Sequence, residues 1–300
     1  MDNNKQNIFI VPENCQGIRL DAFLTKKMPD FSRTKIRSLI TKNLILVNDT
    51  IKKPSFFLRP KQKVCILHIP EEKNTLESYN FPVKIIYEDN DIMVVDKPSG
   101  LTVHPPQKNY NRTLVNALLY QQKTLSSIDP LRPGIVHRLD KETSGLMVVA
   151  KNNNSHNNLV QQFKRREVYK QYRAIVWGKM DKNYLEINFP LCRDKKNRLK
   201  MKIGFLQSKT ALTKIKADKT FKDSSLLSVE PHTGRMHQIR VHLSFLDFPI
   251  VGDHKYGKKD HVEHLLLHAQ KLKFHQPSSK AQLTFELPLP KRFNDFILTH

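Results

Sequence analysis

Apolar positions along the chain follow two different periods, and the change between them divides it. In IRLDAFLTKKM, Leu20, Phe23 and Leu24 fall on one face of a helix. In PDFSRTKIRSLITKN, Ser32 is placed to cap a second helix, with Ile36, Leu39 and Ile40 as its apolar stripe. The short runs LILVN and KVCILHI then read as strands, so residues 16–68 form a small module of two helices and a sheet. Residues 69–80, IPEEKNTLESYN, are polar and read as a linker. From residue 81 to 300 the pattern becomes strand-rich. KIIYE, DIMVVDK, GLMVVAK, YRAIVWG and SLLSVEP are β-rich runs bounded by Gly, Pro, Asn or Asp, with helices predicted near 113–122 and 155–166. Strands mixed irregularly with helices predict an α+β domain with a mainly antiparallel, mixed sheet.

Composition narrows the partners. Of 300 residues, 39% are hydrophobic and 26% charged, enough for a buried core and unlike a disordered chain. Lys and Arg number 51 against 28 Asp and Glu, a net charge of +23. A surface that basic calls for a polyanion, nucleic acid first and an anionic membrane second. The membrane fits poorly, because no apolar run approaches the roughly 20 residues of a spanning helix. No basic helix with bulky apolar anchors is visible either. The start, MDNNKQNIFIVPENCQG, lacks a basic stretch followed by an apolar one, so no secretory signal is expected. Cys15, Cys65 and Cys192 are dispersed and odd in number, which suits a reducing cytoplasm and excludes a Cys-pair zinc site. Arg33 and Arg37 stand one turn apart, and Arg193–Lys222 holds eleven basic residues against two acidic ones. Such runs are solvated surface or an RNA-facing flank.

The most informative segment is PGIVHRLDKETSGLMVVAKN, residues 133–152. It places Arg138, Asp140 and Lys141 in a polar turn directly before an apolar strand, a common setting for reactive groups. Taken alone, Asp140 could equally cap the turn or pair with Arg138. His261, His264 and His268 fall at helical spacing and could in principle hold a metal, but no Cys accompanies them. With 9 Gly in all, no phosphate-cradling loop is present.

The pattern RLD…SR…I…V.VN over residues 16–68 resembles the S4 RNA-binding domain. Asp49 stands where such modules often carry Gly. The 133–152 segment resembles the signature of the RluA family of RNA pseudouridine synthases. Further blocks of that family occur in order: EDNDIMVVDKPSGLTVHP, YKQYRAIVWG (after RREV), HTGRMHQIRVHL, PIVGDHKYG and LLLHA. Their wording is most similar to members that act on large-subunit ribosomal RNA.

The resemblance implies a central cleft and a reaction that breaks N1–C1′, turns the uracil and rejoins it through C5, with no cofactor and no metal. It assigns the essential carboxylate to Asp140, by attack at C1′ or by assisting removal of the 2′ proton. Arg240 would pair with that carboxylate, since a guanidinium beside it opposes the proton uptake a dry pocket favours. Tyr172 would stack on the base. Arg138 would enter the gap left by the everted uridine, and Leu267 would line the other side of the base. Arg33, Lys35 and Arg37 of the module, with Lys97, His104, Arg235 and His237, are expected to contact RNA or support the pocket. A monomer is expected. The same reaction on transfer RNA, or a non-catalytic RNA-binding assembly factor, would share the charge and the module. A pure binder has no use for the set Asp140, Tyr172 and Arg240.

Overall fold

The computed structural model describes residues 7–67, 69, 76–105, 111–121, 124–181, 184–257 and 260–300. Residues 70–75, half of the polar stretch expected to be a linker, lie outside them. The chain divides into two compact units, the first comprising the chain up to Leu76 with Ser126–Gly134, the second Glu77–Leu125 with Ile135–His300. Among the described residues no helix is long and apolar enough to cross a membrane.

In the first unit β1 (Asn7–Ile10) precedes α1 (Leu20–Lys27) and α2 (Arg33–Thr41), followed by β2 (Ile45–Val47), β3 (Thr50–Ile51) and β4 (Lys63–Ile66). The antiparallel sheet runs β1-β4-β2-β3, so it takes in residues upstream of 16. The predicted stripes of both helices are buried in one core with Ile45, Val47, Val64 and Ile66. Ser32 caps α2 by accepting the Lys35 N–H at 3.2 Å. The turn at Asp49 is resolved by two left-handed residues, Asn48 (φ 46°) and Asp49 (φ 57°), which make the two-residue hairpin joining β2 to β3. Asn and Asp tolerate that region, so Gly is not required. Asp21 was not anticipated. Its buried carboxylate accepts from Arg19 and Arg33 at 3.0 Å and has Arg37 at 4.0 Å. The two arginines expected to face RNA are therefore tethered at one point, with their side chains still half-exposed.

The second unit contains β5 (Lys84–Glu88), β6 (Ile92–Lys97), α3 (Leu114–Gln121), β7 (Ser144–Ala150), α4 (Asn153–Arg165), β8 (Tyr169–Trp177) and β9 (Leu185–Ile187). It continues with β10 (Leu191–Arg193), β11 (Met201–Ile203), β12 (Thr213–Thr220), β13 (Ser224–Pro231), α5 (Gln238–Phe245), β14 (Leu267–His275), β15 (Gln282–Glu286) and α6 (Lys291–Thr299). A nine-stranded sheet runs β5-β6-β7-β14-β8-β13-β12-β9, with β15 on β14. Its one parallel pairing among the described strands joins β7 to β14, with Ser144 opposite His268. The sheet is mixed and mainly antiparallel, as the strand pattern predicted.

Why β7 reads as an unbroken apolar run is clear from its place. Met147 and Val149 pack with Leu114, Ala117 and Leu118 of α3, while Leu146, Val148 and Ala150 pack with Leu159 of α4 on the other face. A strand covered on both sides has no polar alternation. Helix α5 packs Ile239 and Leu243 against Ala174 and Val176, and α6 packs Phe293 and Phe296 against Ile175.

Candidate active site

Three short segments hold the turn that carries Asp140. The Lys97 ammonium is fully buried and donates to the carbonyls of Pro98 (2.8 Å), Leu101 (2.8 Å) and Lys141 (3.0 Å). Gly100 N–H also reaches the Lys141 carbonyl at 2.9 Å, and the Ser99 hydroxyl donates to Glu142 O at 2.6 Å. The KPSGL stretch after β6 is thus a clamp on the residues that follow Asp140. On the preceding side, His137 Nε2 accepts the Val148 N–H at 3.0 Å, and its ring stacks on Phe163 at 4.6 Å. Burial, helped by the Lys170 charge, pushes its pKa down to about 3, so it remains the neutral acceptor that this bond requires. Downstream, Gly145 (φ 114°) lies so close to the Ala269 backbone that a Cβ would collide with it. That contact accounts for glycine at the entry to β7.

Asp140 opens onto a cleft of about 570 Å³. Tyr172 of β8, Leu267 of β14, Arg240 of α5 and Arg138 of the HRLD turn line the same cleft. These five residues, up to 129 positions apart in the chain, line one cleft. Burial, with the Asp140 carboxylate as a second cause, pushes the Tyr172 phenol well up, so it stays protonated at neutral pH. Leu267 is both a cleft wall and a core residue, packed with Val229 and Leu243. Arg138 is exposed, and among the described residues the ionic neighbours of Asp140 are His237 and Arg240, not Arg138.

Arg240 departs from the expected geometry. Its bidentate partner is Asp253, reached through Nε at 2.8 Å and Nη2 at 2.7 Å. Its Nη1 lies 3.7 Å from both Asp140 Oδ2 and Glu142 Oε2 and, among the described residues, has no hydrogen-bond partner. The reason is topological: Asp253 sits in the tight Gly252–Gly257 turn beside α5, where its carboxylate also accepts the N–H groups of Lys255 and Tyr256 at 3.0 Å. Arg240 is fixed from behind and presents one free N–H edge to Asp140.

Lys97, expected to contact RNA or to support the pocket, is sealed inside the fold, which fits the second and not the first. Its role is structural support of the Asp140 turn. His104 does not line the cleft. Arg235 does, with its Nε held by Thr210 O at 2.9 Å. His237 is mostly buried, hydrogen-bonded to Tyr256 and 3.9 Å from Asp140 Oδ1, so it faces the carboxylate. The stretch from His261 to Leu266 is not helical and His268 lies on β14, so the predicted histidine row never forms one face. Reading the sequence missed Lys164, Arg166 and Lys170, which join Arg138, Arg235 and Arg240 around the cleft. Burial lowers Lys170 to about 8. Arg166 occupies the left-handed C-cap of α4 (φ 62°), a position that usually takes Gly. A charged residue there was the available signal. One carboxylate ringed by six cations suits a polyanion carrying a reacting centre to that carboxylate.

The chain matches the S4 domain family over residues 18–64 and the RNA pseudouridylate synthase family over residues 91–245. It is 44% identical over 290 residues to an RNA pseudouridine synthase of Aquifex aeolicus, covering 92% of this chain and 91% of that one. It is 38% identical over 294 residues to a ribosomal large subunit pseudouridine synthase D of Neisseria meningitidis serogroup B, covering 93% and 78%. The solved structure of human RNA pseudouridylate synthase domain containing 1 shares the fold, with TM-score 0.58 and 24% identity, covering 74% of this chain and 96% of that one. Sequence blocks, sheet and cleft agree: this chain belongs to the RNA pseudouridylate synthase family and carries an S4 domain ahead of the synthase domain.

Proposed function

We propose that this protein isomerises specific uridines of large-subunit ribosomal RNA to pseudouridine, in the cytoplasm, with Asp140 as the essential carboxylate. The observation that carries the proposal is the lone Asp140 side chain in an otherwise cationic cleft, with Tyr172 and Leu267 lining the same space. The cationic rim grips phosphates. Arg138, exposed at the rim, fills the position a target uridine vacates when it leaves the stack. Tyr172 and Leu267 bracket the base, a flat ring and a branched aliphatic surface that tolerate its rotation. Asp140 acts at the ribose while N1–C1′ breaks. C5–C1′ then forms, the C5 proton leaves and N1 gains a proton, so the overall atom count is unchanged.

The S4 module adds affinity through Arg33, Lys35 and Arg37. The ribosomal substrate rests on the likeness to proteins named ribosomal large subunit pseudouridine synthase D, at 35–38% identity over most of the chain. Carbodiimide-based mapping of total RNA from cells lacking this gene tests it. Specific signals should vanish from large-subunit ribosomal RNA. Losses confined to transfer RNA would reassign the substrate, and an unchanged map would refute the enzymatic reading.

A further inference from the structure

Two side chains beside Asp140, His237 and Tyr256, have no role in the proposed reaction. His237 is a non-glycine residue at φ 54°, at the N-cap of α5. Backbone strain of this kind persists only where the surroundings enforce it. Here the left-handed turn sets the imidazole between two groups. Its Nδ1 lies 2.7 Å from the Tyr256 hydroxyl, and its Nε2 lies 3.9 Å from Asp140 Oδ1. The Tyr256 hydroxyl in turn takes the Met201 N–H at 2.7 Å. The Tyr256 ring is further fixed by the Arg240 guanidinium, 5.3 Å from its centroid.

Counting protons along this chain favours one tautomer. A backbone N–H can only donate, so the phenol oxygen accepts from Met201 and retains one proton of its own. The arrangement that gives that proton an acceptor sends it to His237 Nδ1. A neutral imidazole with Nδ1 as acceptor carries its proton on Nε2. The Nε2–H edge faces Asp140 Oδ1, while Arg240 Nη1 faces Oδ2 at 3.7 Å. Each carboxylate oxygen therefore has one N–H facing it, short of hydrogen-bond contact. Both gaps exceed a hydrogen bond by less than 1.5 Å, as contacts to catalytic groups often do before substrate closes the site.

We propose that His237 is a positioning residue for Asp140, donating through Nε2–H to Oδ1, and that Tyr256 selects the imidazole tautomer able to do so. Burial, the larger cause, together with the nearby Arg240 and Lys255 charges, lowers the His237 pKa despite Asp140, so the neutral form this requires prevails at neutral pH. With Arg240 on the other oxygen, the carboxylate plane is held from two sides, and one face is left for the ribose. The inference rests on the reading that Asp140 is the reacting carboxylate.

The test is a set of full-length variants assayed on an RNA substrate, with kcat and KM determined separately. His237→Asn tolerates the left-handed backbone but places no donor at the Nε2 position. His237→Gln places an amide N–H near that position and has no tautomer to select. His237→Asn should lower kcat about tenfold, the worth of one hydrogen bond at a reacting group, with KM unchanged. His237→Gln should recover most of that loss. Tyr256→Phe should lower kcat in the wild-type background and add no further loss in the His237→Gln background. Any of three results would overturn the proposal: a His237→Asn effect confined to KM, a His237→Gln variant as slow as His237→Asn, or Tyr256→Phe and His237→Gln losses that multiply. An active Asp140→Asn variant would instead overturn the reading beneath it, which keeps the two failures distinct.

Discussion

Replacing Asp253 by Asn tests how Arg240 is held. The carboxylate and the guanidinium are both buried, 1% and 3% exposed, and share two hydrogen bonds of 2.7 and 2.8 Å. Asn keeps one acceptor oxygen but turns an N–H toward the guanidinium and removes the charge. Arg240 would then face only carboxylates at 3.7 Å. Breaking a buried ion pair from one side costs about 3–5 kcal/mol, and the retained oxygen places this variant near the lower end, about 3 kcal/mol. For a domain of this size that is a fall in Tm of about 6–12 °C.

The effect has a pH signature. Burial pushes the Asp253 pKa up, but the Arg240 hydrogen bonds and charge, with the N–H groups of Tyr256 and Lys255, outweigh it and hold the group below its ordinary 3.8. A carboxylate whose pKa is depressed by folding stabilises the protein above its unfolded pKa and loses that contribution as pH falls through the folded one. The advantage of wild type over Asp253→Asn should be flat above about pH 5 and shrink below about pH 4. Urea unfolding followed by circular dichroism across that range measures it. A difference under about 1 kcal/mol at neutral pH, or one undiminished in acid, would refute the reasoning.

Other consequences can be checked alongside. Lys97→Met preserves shape but strips the donor from three carbonyls, one of them on Lys141. Turnover should fall about 100-fold through misplacement of Asp140, with RNA affinity kept, and unchanged kcat would remove Lys97 from the account. Lys170→Ala and Arg166→Ala should each reduce the salt slope of RNA binding by about 0.7 if each neutralises one phosphate of a single-stranded target, measured by titration over a range of KCl concentrations. Gly145→Ala forces a side chain into the Ala269 backbone at a positive φ and should destabilise the protein by about 3 kcal/mol or more in thermal unfolding.

Much of this architecture was readable in the chain. The two S4 helices carried their stripes and the Ser32 cap openly, because local periodicity and capping chemistry are sequence-local. The strands Ile92–Lys97 and Ser144–Ala150 were equally plain, since burial on both faces leaves a continuous apolar run. Asp140, Tyr172, Arg240, Arg138 and Leu267 were found by the order of motifs, and folding brings them to one cleft.

What failed were statements about who touches whom. Lys97 was expected to contact RNA or to support the pocket, and only support is compatible with its burial. Its burial comes from the closing of the 97–101 turn on the 140–142 turn, a contact between segments more than 40 residues apart that no local pattern encodes. Arg240 does lie 3.7 Å from Asp140 as matched, but its bidentate partner is Asp253, because the Gly252–Gly257 turn lies against α5. Asp21 hid as one letter of RLD until Arg19, Arg33 and Arg37 surrounded it. His261 and His264 had helical spacing, but spacing means nothing where no helix forms.

The most direct measurement is turnover and RNA binding by Asp140→Asn. The substitution keeps the size of the side chain and deletes the charge. The account predicts that pseudouridine formation on ribosomal RNA becomes undetectable while RNA affinity stays within a few-fold of wild type. Near-normal turnover by this variant would contradict it.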